Sequence, residues 1–469
     1  MDQQREPVSG GPDLLVLLDH RSGATLHEQL ELGLRESVRS GRLAPGARLP
    51  SSRALAAELG VSRGVVLEAY AQLTAEGYLT SSQGAPTRVA STTSIERPPV
   101  PAGSLSHAYE VDFAPVMPDL AAFPRDGWMR SIRSAMRAAS FRSLGLSDPR
   151  GAPELRNQLM DYLSRARAAA PEPEHTVICA GFTQGFAVLC RSLRDRGVER
   201  IALEDPGWSQ HRLIAERAGL TPVPVAVDEL GIDVAALTAA DCEVVVVTPA
   251  HQFPTGAVLA SDRRGELLEW AEETDGLIVE DDYDSELRYD RVAVGALQGL
   301  APERVCHIGS ASKRLAPGVG LGWMLSPSWL TGALTFEKGL ADGGSPMLDQ
   351  LALADFIARG SLERHLRRMR LRYRERRDAL VEALSRSLPE ARVRGVAAGL
   401  FVLVLLPDAV DEEGFVSAAA ARGVGVEGLS WHRLRAGGPP GLVLGFANLS
   451  QAAIERGVAE LRRALESAV

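Results

Sequence analysis

"IVEDDYDSELRY" occupies Ile278–Tyr289. Apolar residues run straight into Glu280, Asp281, Asp282 and Asp284. So short an apolar run, closed by acids, predicts a buried strand with carboxylates at its C-terminal end, where open α/β sheets bind ligands. Working outward, "TVICA", "RIALED", "EVVVVTP", "GLIVEDD" and "RVCHIG" are short apolar stretches separated by helical ones. That alternation predicts a mostly parallel sheet with crossover helices over residues 112–345. A smaller α/β subdomain is expected over 346–469. It would hold a long Arg-rich helix from Met347 to about Leu388, strands in "GLFVLVLLP" and "GLVLGFANL", and a final helix at Gln451–Glu466.

The chain has 469 residues, too many for one ordinary core. Its 45% hydrophobic and 24% charged content is that of a soluble globular protein. No apolar run reaches the length of a membrane span, and "MDQQREPVSGGPD" is neither basic nor apolar enough for a signal peptide, so a cytoplasmic protein without a membrane partner is expected. Cys179, Cys190, Cys242 and Cys306 are far apart and show no CxxC pairing, which favours buried free thiols over a disulfide or metal site. A net charge of −9 argues against indiscriminate coating of nucleic acid but leaves room for a small DNA-reading surface.

Residues 1–90 read as such a surface. "TLHEQLELGLRESVRSGRL" (Thr25–Leu43) spaces Leu26, Leu30, Leu34 and Val38 as on a helix. "SSRALAAELG" (Ser51–Gly60) is a short amphipathic helix with serine at its start and glycine at its end. A third helix follows, with Ser62 as N-cap and Val65, Val66, Ala69, Tyr70 and Leu73 on its apolar face. Helix, Gly-containing turn, helix is a helix-turn-helix, and "YLTSSQGAPTRVA" (Tyr78–Ala90) predicts a two-stranded wing. Residues 42–63 carry four arginines against one acid, Glu58, so the charge is locally positive. Residues 91–111 are rich in Ser, Thr and Pro and have linker composition. The N-terminal segment closely resembles the winged helix-turn-helix of GntR-type regulators. That resemblance assigns DNA contacts to Ser52, Arg53, Ser62, Arg63, Gly64 and the wing tip Gln83–Gly84.

Only two lysines occur among 51 basic residues, and one, Lys313, sits in "GSASKRLAPGVGLGW" (Gly309–Trp323). Three other stretches bear on it. "AGFTQGF" (Ala180–Phe186) is a small-residue turn opening a helix, whose free N–H groups suit a phosphate. "EDPGW" (Glu204–Trp208) puts an indole after a strand end, and "TPAHQFPTG" (Thr248–Gly256) is another strand-end loop. Taken singly, these features are ordinary: a solvated acid, a core indole, a strand-end tyrosine. Together they match what pyridoxal phosphate needs, which is a lysine for its aldehyde, a carboxylate for its ring nitrogen, and amides and hydroxyls for its phosphate.

Their order resembles fold-type I aminotransferases over residues 112–469, and the whole chain resembles the MocR subfamily of GntR regulators. The resemblance makes Lys313 the Schiff-base lysine, Asp281 the ring-nitrogen partner, Tyr283 the donor to the ring hydroxyl and Trp208 the stacking aromatic. It places Gly181, Phe182, Thr183, Ser310 and Ser312 around the phosphate, and His251 and Gln252 beside the ring. Three positions depart from the pattern. Gly320 stands where an arginine usually grips the phosphate, Phe253 replaces the asparagine before Pro-Thr-Gly, and Gly441 and Leu442 stand where the substrate-carboxylate arginine is expected. Losing that clamp weakens substrate positioning, so productive transamination is not expected. The resemblance implies a homodimeric transcriptional regulator that binds double-stranded operator DNA and senses pyridoxal phosphate or a related amine or aldehyde. The alternatives are an active aminotransferase with an appended DNA-binding domain, or a regulator whose pocket has lost the cofactor.

Overall fold

A computed structural model of the chain describes residues 18–19, 23–82, 85–90, 109–145, 148–289, 294–395 and 398–468. It divides into two compact units, Met1–Leu105 and Ser106–Val469. Wing-tip residues Gln83 and Gly84, and 91–108 of the expected linker, lie outside the described residues.

The first unit is built on α1 (Leu26–Arg39), α2 (Ser52–Leu59) and α3 (Arg63–Ala75). Ser51 and Ser62 cap α2 and α3, accepting from the N–H groups of Ala54 and Val65. Such caps contribute about 1 kcal/mol each. Leu30, Leu34, Leu55, Val66, Ala69 and Leu73 form the core between the helices. The strands Leu79–Thr80 and Arg88–Val89 pair antiparallel, making the wing.

The second unit is organised by an eight-stranded sheet. From one edge its strands are Thr176–Cys179, Gly322–Leu325, Val305–Ser310, Leu277–Asp282, Val244–Val247, Arg200–Asp205, Thr221–Asp228 and Gly231–Ile232. The strands from Val305–Ser310 to Thr221–Asp228 run parallel; Gly322–Leu325 lies antiparallel to both neighbours. A second, four-stranded antiparallel sheet contains Phe401–Leu405 beside Gly441–Gly445. The five strands quoted from the sequence all belong to the large sheet.

Two elements differ from expectation. Thr221–Asp228 is a strand despite Pro222 and Pro224, which lack N–H donors; it lies next to the sheet's short edge strand. The expected helix from Met347 to Leu388 is two helices, Met347–Ala358 and Ser361–Ser387. Gly360 breaks it, with a left-handed φ of 63°. All four cysteines are free and buried, and among the described residues no helix is long and apolar enough to cross a membrane.

Candidate functional site

β-Strand alternation sorts the acids of the opening stretch. Leu277 and Val279 pack into one core cluster, and Asp281, two residues on, reaches a cavity of about 240 Å³. Val116, Ala180, Gly181, Phe182, Thr183 and Trp208 line that cavity with Phe253, Asp281, Tyr283, Ser310, Ser312, Lys313 and Pro317. The cofactor residues expected from sequence therefore surround one space, except His251 and Gln252, which stand behind it.

Asp281 is buried. Its Oδ2 lies 3.1 Å from His211 Nε2, while its Oδ1 has no hydrogen-bond partner. Burial pushes its carboxyl above the ordinary range, against the hydrogen bond from His211. Phe182, Phe186 and Trp208 enclose the His211 ring at centroid distances of 5.2–5.4 Å. Lys313 faces the same cavity. Burial lowers its ammonium pKa, and the charges of Asp281 and Asp284 oppose that shift. Lysine nucleophilicity rises in just such surroundings.

Another part of the cavity wall is polar in a different way. Gly181 caps the helix Phe182–Asp195, whose first N–H groups have no partner within the helix. Ser310 Oγ donates to Ser312 Oγ at 2.9 Å and accepts from Ser312 N at 3.0 Å. Lys313 is the only cation among the lining residues. Gly320 lies outside the lining, with φ +61° and open space where a Cβ would stand. Arg314 turns away from the cavity. It is buried against Asp282 and Glu286 and lies over the Trp323 ring.

Tyr283 donates to the His251 carbonyl at 2.8 Å. His251 Nδ1 lies 2.8 Å from Asp284 Oδ2, and the His251 ring packs on Phe401. Gln252 ties the loop together, donating to Glu204 at 3.1 Å and to the Pro206 carbonyl at 2.9 Å. Glu204 also accepts from Thr248; burial, resisted by these bonds, raises its pKa to about 7. Val116, a β-branched residue, is held on the cavity wall at φ 53°, a conformation such residues rarely adopt.

Along Gly441–Gly445 the residue that joins the apolar cluster beside the cavity is Val443, packed with Phe253, Phe401 and Leu429. Leu442 faces the other core. Gly441 and Leu442, where the arginine was expected, thus carry no charge, and in a strand a single step reverses the face. Gly441–Gly445 holds only Gly, Leu and Val, so this strand supplies no cation.

Sequence reasoning also missed a supporting chain. Lys338, the second lysine, is fully buried and donates to Asp342 at 3.0 Å. Asp342 accepts from Gln184 Nε2, and Gln184 Oε1 accepts from Ala180 N. Lys338 thereby steadies the turn at the mouth of the helix Phe182–Asp195. The rarity of lysine was the available signal.

In the first unit Arg53, Ser62, Arg63 and Gly64 are exposed and Ser52 is half-buried. Arg63 Nε donates to Ser52 Oγ at 3.3 Å, joining the start of α3 to the start of α2.

A winged helix joined to a fold-type I aminotransferase-like unit defines a class of transcriptional regulator. Comparisons with known proteins agree. Residues 26–89 match the gntR family of bacterial regulatory proteins, and residues 123–461 match aminotransferase class I and II. The chain is 33% identical to the HTH-type pyridoxine biosynthesis transcriptional regulator PdxR of Corynebacterium glutamicum, over 97% of this chain and 99% of that one. It is 32% identical to the probable rhizopine catabolism regulatory protein MocR of Rhizobium meliloti, over 96% of each. An archaeal alanine:glyoxylate aminotransferase superposes with a TM-score of 0.70 at 27% identity, covering 76% of this chain and 91% of that one. LysN, an α-aminoadipate aminotransferase of Thermus thermophilus, does so with 0.69 at 26%, covering 76% and 92%. The chain belongs to the MocR-type subfamily of GntR transcriptional regulators.

Proposed function

We propose that the second unit binds pyridoxal phosphate through Lys313 and reports its presence, or that of an amine reacting with it, as a change in operator affinity. The observation that carries this reading is the buried, unpartnered Oδ1 of Asp281 on the wall of a cavity that also holds Lys313. An unpaired buried carboxylate oxygen costs stability unless a ligand donor meets it. A protonated ring nitrogen is such a donor. The helix start at Gly181–Thr183 and the hydroxyls of Ser310 and Ser312 suit the phosphate, Trp208 the ring face, and Tyr283 the ring hydroxyl. Bound there, the cofactor supplies an aldehyde that condenses reversibly with amines. The protein's part is to hold Lys313 with a lowered pKa, to keep the ring nitrogen protonated through Asp281, and to fix Asp281 through His211.

The same residues favour sensing over turnover. Phe253 and Val443 give the substrate side apolar walls where a carboxylate clamp would be needed. The name of the Corynebacterium relative supports pyridoxal phosphate, or a precursor, as the signal. In the first unit Arg53, Arg63, Ser52, Ser62 and Gly64 would meet phosphates and base edges of double-stranded DNA, in a homodimer reading paired half-sites. Fluorescence anisotropy of labelled operator DNA tests the coupling. Pyridoxal phosphate should shift the operator Kd of the wild type and leave that of Lys313→Ala unmoved. Equal shifts in both would refute sensing through Lys313.

A further inference from the structure

A second cavity, of about 940 Å³, lies in the second unit and shares no lining residue with the first. Its walls hold Arg125, Arg130, Arg364, Arg367, Arg368 and Arg372, with Asp126 the only acid among the lining residues. The arginines come from two stretches far apart in sequence, the helix Arg125–Ala138 and the helix Ser361–Ser387. All six are exposed, unlike Arg167 and Arg314, which are buried and paired with Asp282. The side chains of Arg125, Arg130, Arg367 and Arg368 make no hydrogen bond or ion pair among the described residues. Arg372 reaches Asp119 at 3.0 Å, and Arg364 reaches Ser361.

The local backbone sharpens the contrast. Both helices begin at this cavity, and neither start has a side-chain cap. Cations are disfavoured at a helix N-terminus, and anions are favoured there. Arg125 and Arg364 occupy first turns, so nothing in folding stability calls for them in that place. Asp126 and Glu363 offset only part of the positive field. His365, beneath the arginines, is held down to about 4 by burial and by the charges of Arg368 and Arg372. A net charge of −9 for the whole chain makes so local an excess of arginine the more unusual.

We infer that this arginine-lined cavity is a binding site for closely spaced phosphate groups, separate from the Lys313 pocket. Arginine meets phosphate oxygens in paired hydrogen bonds, and uncapped helix starts add backbone donors. The space exceeds a single phosphate, so the ligand carries several. The phosphates belong either to a DNA strand or to a soluble phosphorylated compound, and the two sources separate in one experiment.

Full-length protein, loaded with pyridoxal phosphate to occupy the first pocket, is titrated with inorganic tripolyphosphate in a calorimeter at low salt. Arg367→Gln/Arg368→Gln tests the cavity, and Arg374→Gln/Arg386→Gln, on the same helix but outside it, is the control. Thermal melts establish that both are folded. The cavity pair should weaken binding at least about tenfold, as loss of charge-assisted bonds implies, with the control near wild type. In parallel, selected DNA fragments of about 25 and about 60 base pairs are titrated across salt concentrations; each phosphate contact contributes a log–log slope of about 0.9. A slope lower by about 2 for the cavity pair, on the long fragment alone, assigns the phosphates to DNA. An unchanged slope with weakened tripolyphosphate binding assigns them to a soluble ligand. If the cavity pair matches the control with both probes, or tripolyphosphate does not bind, the inference is wrong.

Discussion

Asp281 and Asp282 are neighbours on one strand, both buried, and they meet opposite environments. Asp282 faces Arg167 at 3.0 Å and Arg314 at 3.1 Å, near His307. Burial alone would raise its pKa, yet the charges of Arg167, His307 and Arg314 hold its carboxyl well below the usual range. Asp281 has one neutral-capable partner, His211, and an oxygen with none. Burial prevails there and the pKa rises. The first acid is closed and holds the fold together. The second is left incomplete on a cavity wall. Perturbation without full satisfaction is the mark of a group kept for a ligand.

That contrast can be broken by mutation. The largest effect is expected from Asp282→Ala, which leaves the buried Arg167 without its carboxylate and Arg314 with Glu286 alone. Such losses cost about 3–5 kcal/mol. Chemical denaturation should show it, whereas Asp281→Asn should change stability by under about 1 kcal/mol and instead weaken pyridoxal phosphate binding. Comparable destabilisation by both would erase the distinction between the two acids.

Arg63→Ala carries the comparison to the first unit. Operator affinity should fall by about 1–3 kcal/mol, with cofactor absorbance unchanged. Loss of both signals would make Arg63 a folding residue.

Gly320→Arg sharpens the phosphate end of the pocket. A charge-assisted contact there contributes about 2–3 kcal/mol, less about 1 for ordering the arginine side chain on binding. Pyridoxal phosphate should bind roughly tenfold tighter in a spectroscopic titration. Equal or weaker binding would mean that the hydroxyls and helix start already suffice.

The smallest effect concerns Glu204, whose folded pKa of about 7 stands above its ordinary 4.5. The folded state then holds its proton more tightly than the unfolded chain. The associated stability is fully present below about 4.5 and is lost as pH rises through about 7. Glu204→Gln should flatten the fall in Tm across that window. An unchanged pH profile would remove Glu204 as its source.

Much of this was legible in the sequence, for definite reasons. Strands such as "EVVVVTP" are continuous apolar runs, which is how strands buried on both faces read. The cavity residues were found because each lies at a strand end or helix start, where chain order and ligand geometry coincide. The prolines of Thr221–Asp228 concealed a strand, and Gly360 divided a helix whose arginine pattern runs on unbroken. That Val443, and not Leu442, joins the apolar cluster beside the cavity was not legible, because strand register cannot be fixed to one residue without the neighbouring strand. The His211 partnership joins residues 70 positions apart, and nothing local announces it. The run of acids read singly as solvated; its true partners come from distant strands and helices.

The most direct test of the account uses its scarcest residue. The protein is mixed with pyridoxal phosphate, reduced with borohydride, digested and mapped by mass spectrometry. Lys313 and Lys338 are the only lysines, and Lys338 is fully buried against Asp342. The account predicts a visible absorption band and a stoichiometric reduced adduct on Lys313. No band and no label on Lys313 at saturating cofactor would contradict it.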